Sequence, residues 1–130
     1  MSLIFPYINI LRPLNLIFAA LSVVIAAYLT DSLNQTSIIM NGVMVVVSFA
    51  GASNILNDIL DINIDKINCP ERILPSGKLK IFQALLIMGI LFSVGIIAST
   101  YLLPIGKNIS LFLILPILIL YTPIFKKLPL

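Results

Sequence analysis

The sequence contains no histidine and only one cysteine, Cys69. A single cysteine cannot form an internal disulfide, and the chain has no cluster of cysteine and histidine residues that would bind zinc or iron. Without imidazole ligands, histidine-ligated haem and copper sites are excluded, as are catalytic triads that use histidine. Any metal held by this chain therefore has to be one that prefers oxygen ligands.

Charged residues are also scarce, since they make up 10% of the 130 residues, whereas hydrophobic residues make up 60%. Soluble domains carry about 25% charged residues and about 45–50% apolar ones. A small soluble domain cannot hide this much apolar surface. The net charge of +3 is too small and too dispersed to indicate nucleic-acid binding. The composition predicts an all-α, polytopic transmembrane helix bundle.

Four apolar runs are long enough to cross a bilayer, which takes about 20 mostly apolar residues. We predict four spanning helices at about 14–33, 38–65, 81–103 and 109–125, within a single transmembrane domain that covers residues 1–130. Pro116 and Pro123 predict a kink in the fourth helix. The segment Lys126–Leu130 is typical of a loop before another helix, so we expect this chain to be the N-terminal half of a larger bundle.

The basic residues predict how the chain is oriented. In a four-helix layout, only Lys107 falls on one side, and the other seven of the eight basic residues fall on the opposite side. These seven are Arg12, Lys66, Arg72, Lys78, Lys80, Lys126 and Lys127. Basic loops are typically cytoplasmic. We therefore predict a multi-pass protein of the cell membrane whose long loop, at about 57–80, faces the cytoplasm.

A polar stripe lies at the end of the second predicted helix. Asn54, Asn57, Asp58, Asp61 and Asp65 recur at helical spacing among isoleucines and leucines. Three carboxylates on one face repel each other, so a cation is expected to offset their charge. Mg²⁺ suits oxygen ligands and substrate phosphates. The alternative is a helix end whose acidic residues simply face water.

The loop that follows this stripe is rich in turns. Pro70 and Pro75 fix the backbone φ angle, and Gly77 permits a positive one. We expect Lys66 and Arg72 to reach back over the acidic face and to bind phosphate oxygens. Lys78 and Lys80 we interpret as anchors on the cytoplasmic side of the membrane.

Three motifs resemble those of the UbiA superfamily of intramembrane prenyltransferases. The first, Asn57-Asp58-x-x-Asp61-x-x-x-Asp65 followed by Asn68-x-Pro70-x-Arg72-x-Leu74-Pro75-Ser76-Gly77, resembles the first aspartate-rich signature of that superfamily. The second, Arg12-Pro13-x-Asn15, is similar to its opening motif, and the third, Tyr121 to Lys127, is similar to the Tyr/Lys motif that closes its fourth helix. Gly51–Asn54 and Asp65–Asn68 most resemble the archaeal branch. The second aspartate-rich motif of the superfamily is absent from this chain.

The resemblance implies transfer of a prenyl group, geranylgeranyl in the archaeal branch, from an isoprenyl diphosphate to a lipophilic acceptor, geranylgeranylglyceryl phosphate. It implies a Mg²⁺ ion held by Asp58, Asp61, Asp65 and Asn57. Tyr121 would stabilise an allylic cation, and Lys126 would bind the departing diphosphate. The substrate-binding residues implied are Arg12, Asn15, Asn54, Asn57, Lys66 and Arg72. We expect the short chain to be inactive without a C-terminal half that carries the second motif.

Other functions also fit these residues. The acceptor could instead be a quinone, chlorophyll or haem precursor. An ion pathway or transporter could use the same acidic face to bind a transported cation. The chain could also be a non-catalytic fragment.

The predicted orientation can be tested with Cys69, which is a built-in probe. A membrane-impermeant thiol reagent should label Cys69 in inverted vesicles and leave it unlabelled in intact cells. Labelling from the outside alone would contradict the predicted layout.

Overall fold

The computed structural model describes residues 4–121, which form only helices and the turns between them. The helices are α1 Phe5–Asn9, α2 Pro13–Leu29, α3 Thr36–Leu60, α4 Ile62–Asn68, α5 Ile81–Ser99, α6 Pro104–Asn108 and α7 Leu115–Leu120, with a π-helical segment at Ile109–Ile114 between the last two. The predicted all-α class is confirmed for this part of the chain.

Two helices are long and apolar enough to cross a bilayer. α3 has 25 residues and α5 has 19, which correspond to lengths of about 37 Å and about 28 Å at a rise of about 1.5 Å per residue. α2 and the continuous helix Pro104–Leu120 are apolar but shorter. The structure therefore shows two candidate spans within residues 4–121, and the prediction of four spans stays a prediction.

Helix boundaries differ from the predicted ones in specific places. The second predicted helix, 38–65, is divided at Asp61, where φ is −87° and ψ is −1°, so that the backbone departs from regular α-helical angles for one residue before α4 begins. α2 ends at Leu29 because the chain turns at Asp31, whose φ is +53°. α5 ends at Ser99, and the last helix begins earlier than predicted, at Pro104. Pro123 lies outside the described residues.

The predicted distortion at Pro116 takes the form of the π-helical segment. A proline inside a helix cannot donate its hydrogen bond, and its ring collides with the carbonyl four residues earlier. The six residues Ile109–Ile114, directly before the helical turn that contains Pro116, adopt the wider π-helical geometry. This geometry makes room for the proline ring. Ser110 adds a hydrogen bond from its hydroxyl to the Gly106 carbonyl oxygen at 2.8 Å. The helix thus continues past the proline instead of ending there.

α3 is the central helix of the described bundle, because it packs against α5, α2 and α7. One apolar cluster lies beside the long loop and joins Ile10, Ile55, Leu74, Leu79 and Ala84. A second cluster joins Val45, Phe49 and Ala98 farther along the helices. Both clusters take residues from α3 and α5, so these two helices form the rigid frame of the chain.

Much of the apolar surface stays exposed. Phe18 on α2 is 62% exposed, Phe82 on α5 is 75% exposed and Phe112 in the π-helical segment is 77% exposed. In water, so many exposed aromatic and aliphatic side chains would favour aggregation. In a bilayer they contact lipid tails at no such cost. The exposed surface therefore supports a membrane location.

The contact between α3 and α5 depends on a glycine. A Cβ atom added at Gly95 would overlap the ring of Phe49, which is 2% exposed and also contacts Phe92 at a centroid distance of 6.2 Å. Gly89, on the same helix, has open space around the corresponding position. The two glycines thus give a matched pair of positions on one helix, one with a close contact and one without.

We expect Gly95→Ala to destabilise the chain by about 1–3 kcal/mol, because the Phe49 ring would have to leave its packed position. Gly89→Ala should be neutral or slightly stabilising, since alanine favours the helix by about 0.5–1 kcal/mol. Unfolding by SDS titration in detergent micelles, followed by circular dichroism, measures both. Equal stability of the two variants would contradict the packing of α5 on α3.

Candidate functional site: a basic cavity at the α1–α2 corner

The corner between α1 and α2 is a strained piece of backbone. Arg12 joins the two helices with φ +56° and ψ +68°, in the left-handed region that non-glycine residues rarely adopt. Asn54 on α3 stabilises this corner, because its side-chain amide donates a hydrogen bond to the Leu11 carbonyl oxygen at 3.0 Å. Ile10, which is 1% exposed, anchors the corner in the core. These contacts fix the direction in which the Arg12 side chain leaves the backbone.

Arg12 forms an ion pair with Asp58. The guanidinium donates from Nη2 to Oδ1 of Asp58, across 46 positions of sequence. The Asp58 side chain is 13% exposed and that of Arg12 is 39% exposed, so the pair is partly shielded from water. A carboxylate at this depth needs a charged partner. The pair therefore links the N-cap residue of α2 to the polar end of α3.

A second ion pair forms between α4 and the loop. Arg72 donates to Oδ2 of Asp65 at 2.7 Å, and Asp65 is 7% exposed. The hydrogen bond to Asp65 is the largest cause of a raised pKa at Arg72. The raised pKa shows that the folded state favours the charged guanidinium, so Arg72 keeps its positive charge at all physiological pH values.

Two buried leucines hold the rest of the loop against the helices. Leu74 is 5% exposed and Leu79 is 3% exposed, and both belong to the cluster that contains Ile10 and Ile55. Between them, Gly77 turns the chain with a φ of +72°, which glycine adopts without strain. The loop is thus an ordered wall, as predicted from its prolines and glycine.

These elements line an open cavity of about 820 Å³. It is lined by Phe5, Pro6, Tyr7, Asn9, Arg12, Asp58, Glu71, Arg72, Ile73, Gly77, Lys78, Lys80 and Gln83. Four of these side chains are basic and two are acidic, so the lining carries a formal charge of +2 (four minus two). A cavity of this size and sign suits an anionic ligand with an apolar part.

The amino-acid sequence from residue 15 to residue 130 matches the UbiA prenyltransferase family. The chain belongs to that family. The predicted family is therefore confirmed.

Relatives with an assigned activity are named digeranylgeranylglyceryl phosphate synthase. The chain is 36% identical to that of Methanosphaera stadtmanae over 116 residues, which are 89% of this chain and 42% of the relative. It is 40% identical to that of Sulfurisphaera tokodaii over 118 residues, 88% of this chain and 41% of the relative. The chain thus spans about 40% of the length of these two relatives. No solved structure is significantly similar to it.

The cavity of this UbiA family member brings together three of the predicted site residues, namely Arg12, Asp58 and Arg72. Asp65 is connected to it through Arg72. Asn54 supports the corner and does not line the cavity.

Within residues 4–121, the other predicted site residues lie outside the cavity lining. Asn57 and Asp61 are half-buried near the end of α3, whereas Asn15 and Lys66 are exposed. Tyr121 is exposed at the end of α7, and Lys126 lies outside the described residues. The roles predicted for these residues remain predictions.

Other lining residues were not predicted as site residues. Lys78 and Lys80 were interpreted as membrane anchors, although their charge next to a Pro-Ser-Gly turn could have indicated a ligand site. Tyr7 and Gln83 are joined by a hydrogen bond from Gln83 Nε2 to the Tyr7 hydroxyl at 2.9 Å. Nothing in the sequence pattern connects these two residues, which are 76 positions apart.

The donor types here suit Mg²⁺, which prefers carboxylate and amide oxygens. Within residues 4–121, however, no three acidic or cysteine residues are grouped so that they could hold a metal ion. Asp58 and Asp65 are each paired with an arginine instead. Mg²⁺ usually takes one or two protein carboxylates and completes its shell with substrate phosphates and water. The carboxylates of Asp58 and Asp61 and the amide oxygen of Asn57 are ligands of the type and number that such a Mg²⁺ ion needs.

The ion pair between Arg12 and Asp58 predicts a measurable coupling. In a double-mutant cycle of Arg12→Met and Asp58→Asn, the unfolding free energies should be non-additive by about 1 kcal/mol or more. The matched control combines Arg12→Met with Asp31→Asn, whose position follows the opposite end of α2. Additive effects are expected there, because distant sites do not couple. An additive Arg12–Asp58 cycle would remove this pair as the link between α2 and α3.

Proposed function

We propose that this chain provides the diphosphate-binding side of a UbiA-type prenyltransferase. The enzyme would transfer a geranylgeranyl group from its diphosphate to geranylgeranylglyceryl phosphate in archaeal membrane lipid synthesis. The observation that carries the proposal is the convergence of Arg12, Arg72 and Asp58 on one cavity. These residues belong to two motifs separated by more than 40 positions, and the relatives' names point to the same chemistry.

Arg12 and Arg72 are suited to bind diphosphate oxygens. A guanidinium offers several N–H donors in a planar fork and holds phosphate in two places at once. Their carboxylate partners hold both side chains in place before a ligand arrives, which lowers the entropy lost on binding. Mg²⁺, held by Asp58, Asp61 and Asn57, would supply further neutralisation of the leaving diphosphate when bound.

The apolar part of the donor would extend from the cavity into the bundle or the surrounding lipid. Phe5 and Ile73 give the cavity an apolar portion beside its charges. The exposed apolar faces of α2 and α5 continue beyond it. An apolar surround keeps water away from an allylic cation, which water would otherwise quench. Tyr121 and Lys126 remain the proposed partners of the cation and of the departing diphosphate.

The orientation we propose has the cavity on the cytoplasmic side of a cell membrane crossed by four helices. Arg12, Arg72, Lys78 and Lys80 line one cavity, which supports the prediction that these basic residues share one side. Isoprenyl diphosphates are charged and would reach the cavity from water on that side.

The remaining part of the site would come from the region of the relatives that this chain does not match. The chain spans about 40% of their length, which supports the idea that the opposing wall of a complete site would correspond to sequence beyond the matched region. We propose that prenyl transfer requires that region, supplied as a C-terminal half with a second aspartate-rich motif.

The proposal predicts that Asp61→Asn lowers prenyl transfer by about 10²-fold or more, because the leaving diphosphate loses a charge-stabilising ligand. Membranes that contain residues 1–130, together with the C-terminal half of a relative, would be assayed with radiolabelled geranylgeranyl diphosphate. EDTA should give a similar loss, and membrane insertion should be unchanged.

Asp31→Asn serves as the control and should retain full activity. Asn tolerates the left-handed backbone of that turn, and the position is exposed and lies outside the cavity. Full activity of Asp61→Asn, or full activity in EDTA, would contradict the metal–diphosphate site. Turnover by residues 1–130 alone would contradict the need for the other half.

A further inference from the structure

Lys78 and Lys80 are placed in the cavity by the residue between them. Leu79 is 3% exposed and packs in the cluster with Ile10 and Ile55. Lys80 has extended backbone angles, φ −75° and ψ 145°, and the two lysines flank this buried anchor. Because Leu79 is fixed in this core, the backbone positions of the two adjacent lysines are fixed with it. Both lysines accordingly line the cavity.

The rest of this wall is also ordered. Gln83 accepts a hydrogen bond from the Lys80 backbone N–H at 3.0 Å and donates one to the Tyr7 hydroxyl at 2.9 Å. Lys78 donates from Nζ to the Glu71 carbonyl oxygen at 3.4 Å. The segment that carries the two lysines is therefore tied both to α1 and to the preceding loop.

The two lysines differ from the two arginines in their partners. Arg12 and Arg72 are each neutralised by a carboxylate, Asp58 and Asp65. Within the described part of the chain, neither lysine forms a salt bridge. The Glu71 side chain, which also lines the cavity, offsets at most one of these two charges. Positive charge without a fixed counter-ion is thus concentrated at the lysine side of the cavity.

We propose that Lys78 and Lys80 form a second anion site, which binds the phosphomonoester group of the acceptor while Arg12 and Arg72 serve the diphosphate. This inference rests on the proposed function and assigns the residues that would bind the phosphate of its acceptor. A phosphomonoester carries up to two negative charges, which matches two ammonium groups. Lysine binds phosphate as a point charge from any direction, whereas arginine suits two-point contacts. An uncharged aromatic acceptor would gain nothing from this pair.

The cavity location distinguishes this site from a membrane anchor. Anchoring lysines extend from helix ends toward lipid headgroups. Lys78 and Lys80 instead share a cavity with Asp58 of α3 and with Tyr7 and Asn9 of α1. They are held by the buried Leu79, and the cavity that they line also contains apolar residues. A lipid phosphate needs both kinds of surface, because it has a charged headgroup and an apolar chain.

The test is a binding measurement on residues 1–130 in nanodiscs of neutral lipid. The probes are geranylgeranylglyceryl phosphate, the same lipid without its phosphate, and geranylgeranyl diphosphate. The double variant Lys78→Met/Lys80→Met removes both charges and keeps an unbranched side chain that is only one atom shorter. Lys78→Arg/Lys80→Arg keeps the charges, and Lys107→Met removes a lysine that does not line the cavity.

We expect the double methionine variant to bind the phosphorylated acceptor at least about tenfold more weakly, since it loses both charge-assisted contacts to the phosphate. Its affinity for geranylgeranyl diphosphate should change by less than about threefold. The double arginine variant should restore most of the acceptor affinity, and Lys107→Met should behave as the wild type.

Several results would overturn the inference and leave the proposed function intact. One is an equal loss of affinity for both phosphorylated probes in the double methionine variant, which would show that the lysines attract any anion and do not select the acceptor. Another is equal binding of the acceptor with and without its phosphate. A third is displacement of the acceptor by phosphatidylglycerol added to the nanodiscs, which would assign the lysines to lipid headgroups. Failure of the wild-type chain to bind geranylgeranyl diphosphate would instead contradict the proposed function, and acceptor binding would still be read separately.

Discussion

The ion pair between Arg12 and Asp58 connects the features on which the cavity depends. It joins the start of α2 to the end of α3, and it requires Arg12 to hold a left-handed backbone conformation. Such a conformation persists only where surrounding contacts stabilise it. Asn54 supplies one of them by bonding to the adjacent Leu11 carbonyl oxygen. Without this corner, α1 would not be held against α3 and the loop, and the cavity would lose one wall.

Charge placement in this chain follows from the cost of burying charge near a membrane. Asp58 and Asp65 are largely buried, and each has an arginine partner from a different part of the chain. An unpaired carboxylate at either position would be costly, because its water is removed and no counter-charge replaces it. These pairs are therefore structural elements as well as candidate ligand groups. The same arginines can face a phosphate because each has several donors and uses only part of them on its carboxylate.

Local signals in the sequence predicted the helices and the polar stripe of α3, whereas the wall of the cavity depends on distant contacts. Apolar runs predicted the positions of α2, α3 and α5, and Pro116 predicted a distorted last helix. The break at Asp61 was not predicted, since no glycine or proline marks it. Leu79 packs in one cluster with Ile10. This packing brings Gln83 to Tyr7 and places Lys78 in the cavity lining. Helical periodicity carries no information about such contacts between remote residues.

Packing of the helices and binding chemistry are separable in this chain. α3 and α5 approach closely where Gly95 meets Phe49, and Gly42 and Gly51 allow similar approaches by Val23 and Leu91. These contacts involve none of the charged residues. Lipid tolerates the apolar faces that remain exposed, so their exposure does not oppose this arrangement. The charged residues that line the cavity have a different role, because they supply the counter-charges that an anionic ligand requires. The helix packing thus depends on small and apolar residues, whereas the candidate site depends on paired charges.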